Sequence, residues 1–259
     1  MLRVVLVVAL AAVAVQATSM ARLQRKMMPH ERIVGGDEVE PNSIPFQVSF
    51  QSTSGFHFCG GSVISASTIL TAAHCCRGET PSGVQVVAGD HNLFEDEGTE
   101  QLVTVSDIII YEDYDSFEHS GDVCLLILSA PLDLNAQVAP VDLPAQGQEF
   151  AEGSDAIVSG WGTLTSGGSS PDVLYSVTVP VVSPDACQED YGVSSITPDM
   201  ICAGAEGFDS CQGDSGGPMT CDGLSCGVVS WGRGCALAGY PGVYAKTSAF
   251  TDWIMDNMK

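Results

Sequence analysis

The chain has 259 residues, 45% of them apolar and 16% charged, a balance that excludes broad disorder and allows one or two domains with sizeable cores. Its 32 acidic against 9 basic residues give a formal charge of −23, which excludes nucleic acid and anionic membranes as partners. Such a field draws in cationic ligands, although solubility alone accounts for it equally well.

In chain order, Arg3 opens an unbroken apolar run over 4–15 that ends in the small-residue exit Val15-Gln16-Ala17. This reads as a signal peptide over residues 1–17. The run is too short to span a bilayer, and no later stretch is long enough. The expectation is a soluble, secreted, extracellular protein whose ten cysteines meet an oxidising compartment and pair. Arg3, Arg22, Arg25, Lys26 and Arg32 crowd the first 32 positions, where Glu31 is the sole acid. A form starting at Ile33 carries 4 basic and 31 acidic residues, a net charge of −27.

Beyond residue 32, short β-type runs at 46–51, 84–87, 103–110, 123–128, 156–159, 175–182, 227–230 and 242–245 alternate with Gly, Ser, Asp and Pro clusters. That pattern indicates an all-β barrel or sandwich protein. Helix is scarce. The one candidate is the tail over about 248–257, where Phe250, Trp253, Ile254 and Met255 give an incomplete apolar face. Pro140-Val141-Asp142-Leu143-Pro144 marks a boundary between two halves of similar length, and 163–171 reads as a Gly/Ser-rich loop.

Gly213-Asp214-Ser215-Gly216-Gly217-Pro218 sets a serine between glycines, where the backbone turns tightly and presents N–H groups to a developing oxyanion. Taken alone it is equally a Gly-rich β-turn. His74 supplies a base for a serine nucleophile near neutral pH, and Asp122, at the head of an apolar strand, supplies a carboxylate to bury against it. Either one by itself is more often structural. Cys75-Cys76 beside His74 invites a zinc reading, but neither HExxH nor spaced CxxC pairs accompany it.

Five segments occur in one order: Ile33-Val34-Gly35-Gly36, Thr71-Ala72-Ala73-His74-Cys75, Gly121 to Leu126, Asp209 to Pro218, and Ser230 to Cys235. In this the chain resembles the chymotrypsin-like serine peptidases, and among them trypsins, from Ile33 to Lys259. The resemblance implies two antiparallel six-stranded Greek-key barrels, about 33–140 and 141–247, with a short C-terminal helix and the triad in the cleft between them. It implies Ser215 as nucleophile, His74 as general base and acid, Asp122 as the group that holds the histidine, and the Gly213 and Ser215 amides as oxyanion hole.

The same resemblance gives Asp209 as the pocket floor that pairs with substrate Arg or Lys, Gly232 and Gly242 as its walls, and Ser230 with Trp231 along the substrate. Arg233 beside them leaves preferences beyond the first pocket open. His57 takes a structural role, and His119 is a loop histidine that borders the next pocket at most. Residues 18–32 become an activation segment cut after Arg32, whose new Ile33 terminus pairs with Asp214. Pro29-His30-Glu31 before Arg32 is no acidic run, so a trypsin-like activator suffices.

Cys59–Cys75, Cys187–Cys202 and Cys211–Cys235 match family bridges. A family partner for Cys221 would fall at Ala156, so Cys221 and Cys226 are read as the two ends of a hairpin; Cys76–Cys124 is inferred against two free thiols. The acidic loop 90–100 resembles the trypsin calcium loop, with Asp90, Glu97, Glu100 and the carbonyls of Asn92 and Glu95 as ligands, set against a solvated turn. No cofactor is expected for catalysis. Expected partners are Arg- or Lys-containing proteins and peptides and protein inhibitors of peptidases, with the enzyme a monomer. The rivals are an inactive homologue that only binds, against which Ser215, His74 and Asp122 all stand, and an active peptidase with a specialised role.

Overall fold

The β-branched and aromatic runs become strands, and the Gly-, Asp- and Pro-rich clusters between them become turns. The computed structural model describes residues 36–163, 168–206, 213–234, 237 and 239–259. Arg32, Ile33, Asp209, Cys211, Cys235 and positions 164–167 of the Gly/Ser-rich stretch lie outside the described residues. A two-residue strand, β1 (Asp37–Glu38), precedes the first barrel. That barrel contains β2 (Gln47–Ser52), β3 (His57–Ser65), β4 (Thr68–Thr71), β5 (Val84–Ala88), β6 (Gln101–Ile110) and β7 (Cys124–Leu128). They close in the order β2-β3-β4-β7-β6-β5, every pair antiparallel.

The second barrel comprises β8 (Asp155–Gly160), β9 (Tyr175–Val182), β10 (Met200–Ala203), β11 (Pro218–Cys221), β12 (Leu224–Trp231) and β13 (Gly242–Lys246). Its ring runs β9-β10-β13-β12-β11-β8 and closes through β8–β9, while β1 adds to the outer edge of β9. The fold is therefore two six-stranded antiparallel barrels with a C-terminal helix. Val48, Phe50, Ile69, Leu125 and Leu126 fill the first core, which Val228 and Ala245 of the second barrel also enter, and Val158, Met219 and Tyr244 fill the second. Each such side chain contributes about 1.5–3 kcal/mol on burial.

The closing helix, α3 (Thr247–Asn257), leaves the second barrel and docks on the first. Phe250 and Ile254 enter the first core, and Tyr111 meets Phe250 and Trp253 edge-on at 5.1 and 5.4 Å. The Lys259 carbonyl then accepts from Ser65 Oγ at 2.7 Å and Thr68 Oγ1 at 3.0 Å. Met255, one residue past Ile254, turns away from that face and is 58% exposed, so it is no part of the apolar stripe. No described helix is long and apolar enough to cross a membrane.

The sequence expectation of a single helix is incomplete. α1 (Ala73–Cys76) is one turn carrying His74, and α2 (Pro184–Tyr191) buries only Cys187 and Tyr191, too few for a legible stripe. Its signal lies at the ends, with Ser183-Pro184 at the start and Gly192, φ 98°, as the stop. Among the strands, β3 escapes notice because Gly60-Gly61 interrupts it. A Cβ on Gly60 would lie 2.9 Å from the Gly217 backbone, and one on Gly61 2.9 Å from Ile69 Cγ2. Gly60 is where the barrels touch.

Cys59–Cys75, Cys76–Cys124, Cys187–Cys202 and Cys221–Cys226 are bonded. Ala156 does lie opposite Cys221 across β8–β11, and Cys221 bonds instead across its own hairpin. There Asp222 (φ 51°) and Gly223 (φ 81°) form the two-residue turn that such a hairpin favours.

Candidate active site

Two elements of the first barrel bring a histidine to a carboxylate. β4 ends at Thr71, and the short α1 turn lifts His74 off the barrel rim. Asp122 stands just ahead of β7, separated from it by Val123 and following Gly121 at φ 67°, where a Cβ would strike the Tyr111 ring. Asp122 is fully buried and takes His74 at two points, the backbone N–H to Oδ1 at 2.8 Å and Nδ1 to Oδ2 at 2.7 Å. A third donor arrives from the second barrel, Ser230 Oγ to Oδ2 at 2.5 Å. Burial opposes ionisation of Asp122, but the hydrogen bonds and charge of His74 and the Ser230 hydroxyl outweigh it, leaving the carboxyl below its usual range. With Nδ1–H committed to the carboxylate, the neutral ring keeps Nε2 as an acceptor.

Ser215 sits in the turn that enters β11. Its carbonyl accepts from Gly60 N at 2.8 Å, and the turn is tied back by Gly216 N to Val229 O and Gly217 N to Asp214 O, each 2.8 Å. A side chain on Gly216, φ 76°, would run into Thr71 and Gly60, so glycine alone lets this turn approach the segment leading to His74. Asp214 is fully buried, accepts from Gly162 N at 2.8 Å, and has Gly160 and Gly162 as walls, where any Cβ would overlap its carboxylate.

His57 stands outside this pair. Its Nε2 donates to Gly213 O at 3.3 Å while Nδ1 accepts from Ser49 Oγ at 2.8 Å, and Gln51 and Gln85 extend the chain of bonds inward. Burial pushes its imidazole below the ordinary value, against the Gly213 bond. It thus buttresses the turn that carries Gly213. Cys75 and Cys76 beside His74 are each tied up in a disulfide, to Cys59 and Cys124 respectively, which removes them as zinc ligands.

A buried carboxylate holding a histidine, with a serine in a glycine turn across a two-barrel cleft, is the arrangement of a serine peptidase. The family model described as trypsin matches residues 33–254. The chain belongs to the trypsin family. It is 48% identical over 237 residues to trypsin-1 of Astacus astacus, an alignment covering 87% of this chain and 99% of that protein. Serine protease 1 of Rattus norvegicus is 45% identical over 231 residues, 88% of this chain and 90% of the rat protein. Anionic trypsin of Canis lupus familiaris is 43% identical, with the same two coverages of 88% and 90%. This trypsin-family chain is accordingly a serine endopeptidase, a hydrolase of protein substrates whose chemistry needs no catalytic cofactor.

In this trypsin-family cleft β12 leads from Ser230 to Trp231 and Gly232. A Cβ on Gly232 would lie 3.8 Å from Tyr191 Oη and 4.0 Å from Gly242 Cα, ordinary contacts, so the protein itself has room for one there. His119, half-buried rather than an exposed loop residue, stacks on Trp231 at 5.8 Å, and Trp231 meets Tyr191 edge-on at 5.0 Å. Sequence reasoning missed the Ser230 bond to Asp122 and the Tyr191 and Tyr240 rings around Arg233. Ser230 was legible only as a neighbour of substrate, because its partner lies 108 positions away.

The acidic loop brings one oxygen each of Asp90, Glu97 and Glu100 within 4.8 Å of one another. Burial, then the charges of Glu100 and Glu97, push Asp90 up to about 7. Its Oδ1 is buried with no hydrogen-bond partner. The other two acids are braced by backbone donors: Glu97 by His91 N and Asn92 N, Glu100 by Glu97 N and Thr99 N. The Asn92 carbonyl accepts from Glu95 N at 3.1 Å.

Proposed function

We propose that this enzyme cuts peptide bonds after Arg or Lys through an acyl-enzyme on Ser215, and that it is made as a secreted zymogen. The observation that carries the mechanism is the two-point hold of Asp122 on His74. It fixes the tautomer in which Nε2 takes the Ser215 proton. Ser215 Oγ then attacks the carbonyl carbon, and the Gly213 and Ser215 amides receive the negative oxygen. His74 hands the proton to the leaving amine as the C–N bond breaks. Water repeats the cycle, giving its proton to His74 and releasing the acid.

Specificity rests on Asp209 as the anion at the bottom of the first pocket, with Gly232 and Gly242 as walls. The clearance around Gly232 supports that role, since the fold does not itself demand glycine there. A buried carboxylate recovers the desolvation of a substrate guanidinium or ammonium, which an apolar side chain cannot match. In the order of the chain, residues 1–17 are a signal peptide, 18–32 an activation segment and 33–259 the peptidase domain. Cutting after Arg32 frees the Ile33 ammonium to pair with Asp214, whose carboxylate has its room because positions 160 and 162 are glycine.

The acidic loop suits structural calcium. Asp90 has a buried oxygen in need of a partner and two more carboxylates beside it, the hard donor set that calcium takes. Asn92 and Glu95 would add carbonyls, and bound calcium would neutralise the crowded charge. The enzyme acts as a monomer and meets protein inhibitors through the same cleft.

Cleaving the chain after Arg32 and profiling it on a peptide library tests the reading. Cleavage after Arg and Lys, abolished by Ser215→Ala and broadened by Asp209→Ser, is expected. Near-normal turnover by purified Ser215→Ala sinks the mechanism; an Asp209→Ser enzyme that still prefers Arg over Phe by the parent's ratio sinks the pocket floor.

A further inference from the structure

β12 outruns one of its two partners. On one side it pairs with β13 as far as Trp231 opposite Val243. On the other, its ladder with β11 ends at Val228, and the last backbone bonds join Val229 to Gly216 and Gly217 of the nucleophile turn. Ser230, Trp231 and Gly232 therefore have an edge without a strand partner among the described residues. That edge starts at the residue whose hydroxyl reaches Asp122, so it opens onto the reacting groups. An extended peptide adds to such an edge as one more strand. With the cleaved residue opposite Ser230 in an antiparallel ladder, the third residue before the cut bond faces Gly232 and the fourth faces Arg233.

Arg233 is held in place there before any peptide arrives. Its guanidinium carbon lies 5.8 Å from the Tyr191 ring centroid and 5.2 Å from that of Tyr240. Its backbone N–H donates to Tyr191 Oη at 3.3 Å, and Tyr191 Oη donates to the Pro241 carbonyl at 2.7 Å. No carboxylate among the described residues pairs with the guanidinium, whereas Lys246 is tied to Glu149. Two aromatic faces thus hold an exposed cation, with no carboxylate partner among the described residues, at the far end of an open strand edge. The ordering cost that an exposed ion pair ordinarily meets is largely met in the free enzyme.

We propose that Arg233 is a specificity-determining residue that selects acidic side chains at the third and fourth positions before the cleaved bond. The proposal rests on the reading of Ser215 and His74 as the reacting groups. A planar fork of N–H donors matches a carboxylate, and a neutral side chain offers it nothing comparable. The preference works locally against the acidic surface at large, whose diffuse repulsion is cut at a Debye length of about 8 Å near physiological salt.

Pairs of peptides identical except for Glu or Ala at the third or the fourth position, assayed near physiological salt, provide the test. Glu is expected to raise kcat/KM about three- to fivefold in the parent, the range of a well-placed exposed ion pair. Arg233→Ser should bring the Glu-to-Ala ratio to one or below, Arg233→Glu should invert it, and Arg233→Lys should keep part of it. Because each variant is read as a ratio on its own Ala peptide, general losses of activity cancel. A ratio of one in the parent overturns the proposal, as does an undiminished ratio in Arg233→Ser. Should the enzyme cut after residues other than Arg or Lys, the pocket reading falls. The same ratio, measured with the residue it does accept, still decides the role of Arg233.

Discussion

Ser230 and His74 meet on one atom: Asp122 Oδ2 accepts from Ser230 Oγ at 2.5 Å and from His74 Nδ1 at 2.7 Å. The two donors belong to different barrels, so the carboxylate that orients the histidine also ties β12 to the first barrel. Hydrogen bonds to charged groups contribute about 1.5–3 kcal/mol. Ser230→Ala should lower kcat/KM about ten- to a hundredfold, with Ser230→Thr recovering part of the loss, in steady-state assays on an Arg-ending peptide. Unchanged kinetics in Ser230→Ala would reduce the bond to a bystander.

Gly162→Ala places a methyl group inside the space of the Asp214 carboxylate. The expected result is a folded protein, by circular dichroism, in which active-site titration finds only a small competent fraction. Full titration of the variant would mean that the carboxylate has room to move and that the glycine walls do not define its pocket.

For the acidic loop, chelation should lower the melting temperature of the active enzyme. A ligand present at 100 times its Kd and bound only to the folded state adds about 2.7 kcal/mol, roughly 5–10 °C for a domain of this size. Glu97→Gln combined with Glu100→Gln should abolish the difference between calcium and chelator. Identical melting curves with and without chelator would leave the loop a solvated turn.

Acid stability should fall in two stages. His57 has a folded-state pKa below its unfolded value because of burial. The unfolded chain binds that proton first, and stability declines as pH drops below about 6.5. Asp122, held below the usual range despite its burial, contributes stability that is complete above about pH 3.9 and lost as pH falls further. Melting temperature against pH, measured on Ser215→Ala to prevent self-cleavage, should decline less steeply than the parent's below about pH 6.5 in His57→Gln and below about pH 3.9 in Asp122→Asn. A His57→Gln curve parallel to the parent's throughout would rule out the first assignment.

The strands legible in the sequence were those whose side chains announce a pleated, buried surface, such as β7 with Cys-Leu-Leu-Ile-Leu and β9 with its alternating valines. β3 was not, because two glycines interrupt it, and Gly60 is small on account of Gly217, more than 150 positions away. The same distance hid the second role of Ser230. His74 and Asp122 stood out because short motifs surround them, whereas their hold on each other is a product of folding. Arg233 was visible as an unexpected cation, yet its two tyrosine rings come from α2 and from the segment before β13. Pairings within a hairpin, as at Cys221 and Cys226, need only local chain and could be read directly.

The grip of the Lys259 carbonyl on Ser65 and Thr68 bears on how the molecule is made. Those bonds span 194 and 191 positions. During synthesis the first barrel emerges with its rim at β4 uncovered, and it stays so until the second barrel and α3 have followed. Contacts at such separations form late and slow the final step. The half that presents His74 and Asp122 is thus completed by a segment made only after the whole second barrel, and a nascent chain halted short of α3 would expose the faces that Phe250 and Ile254 cover.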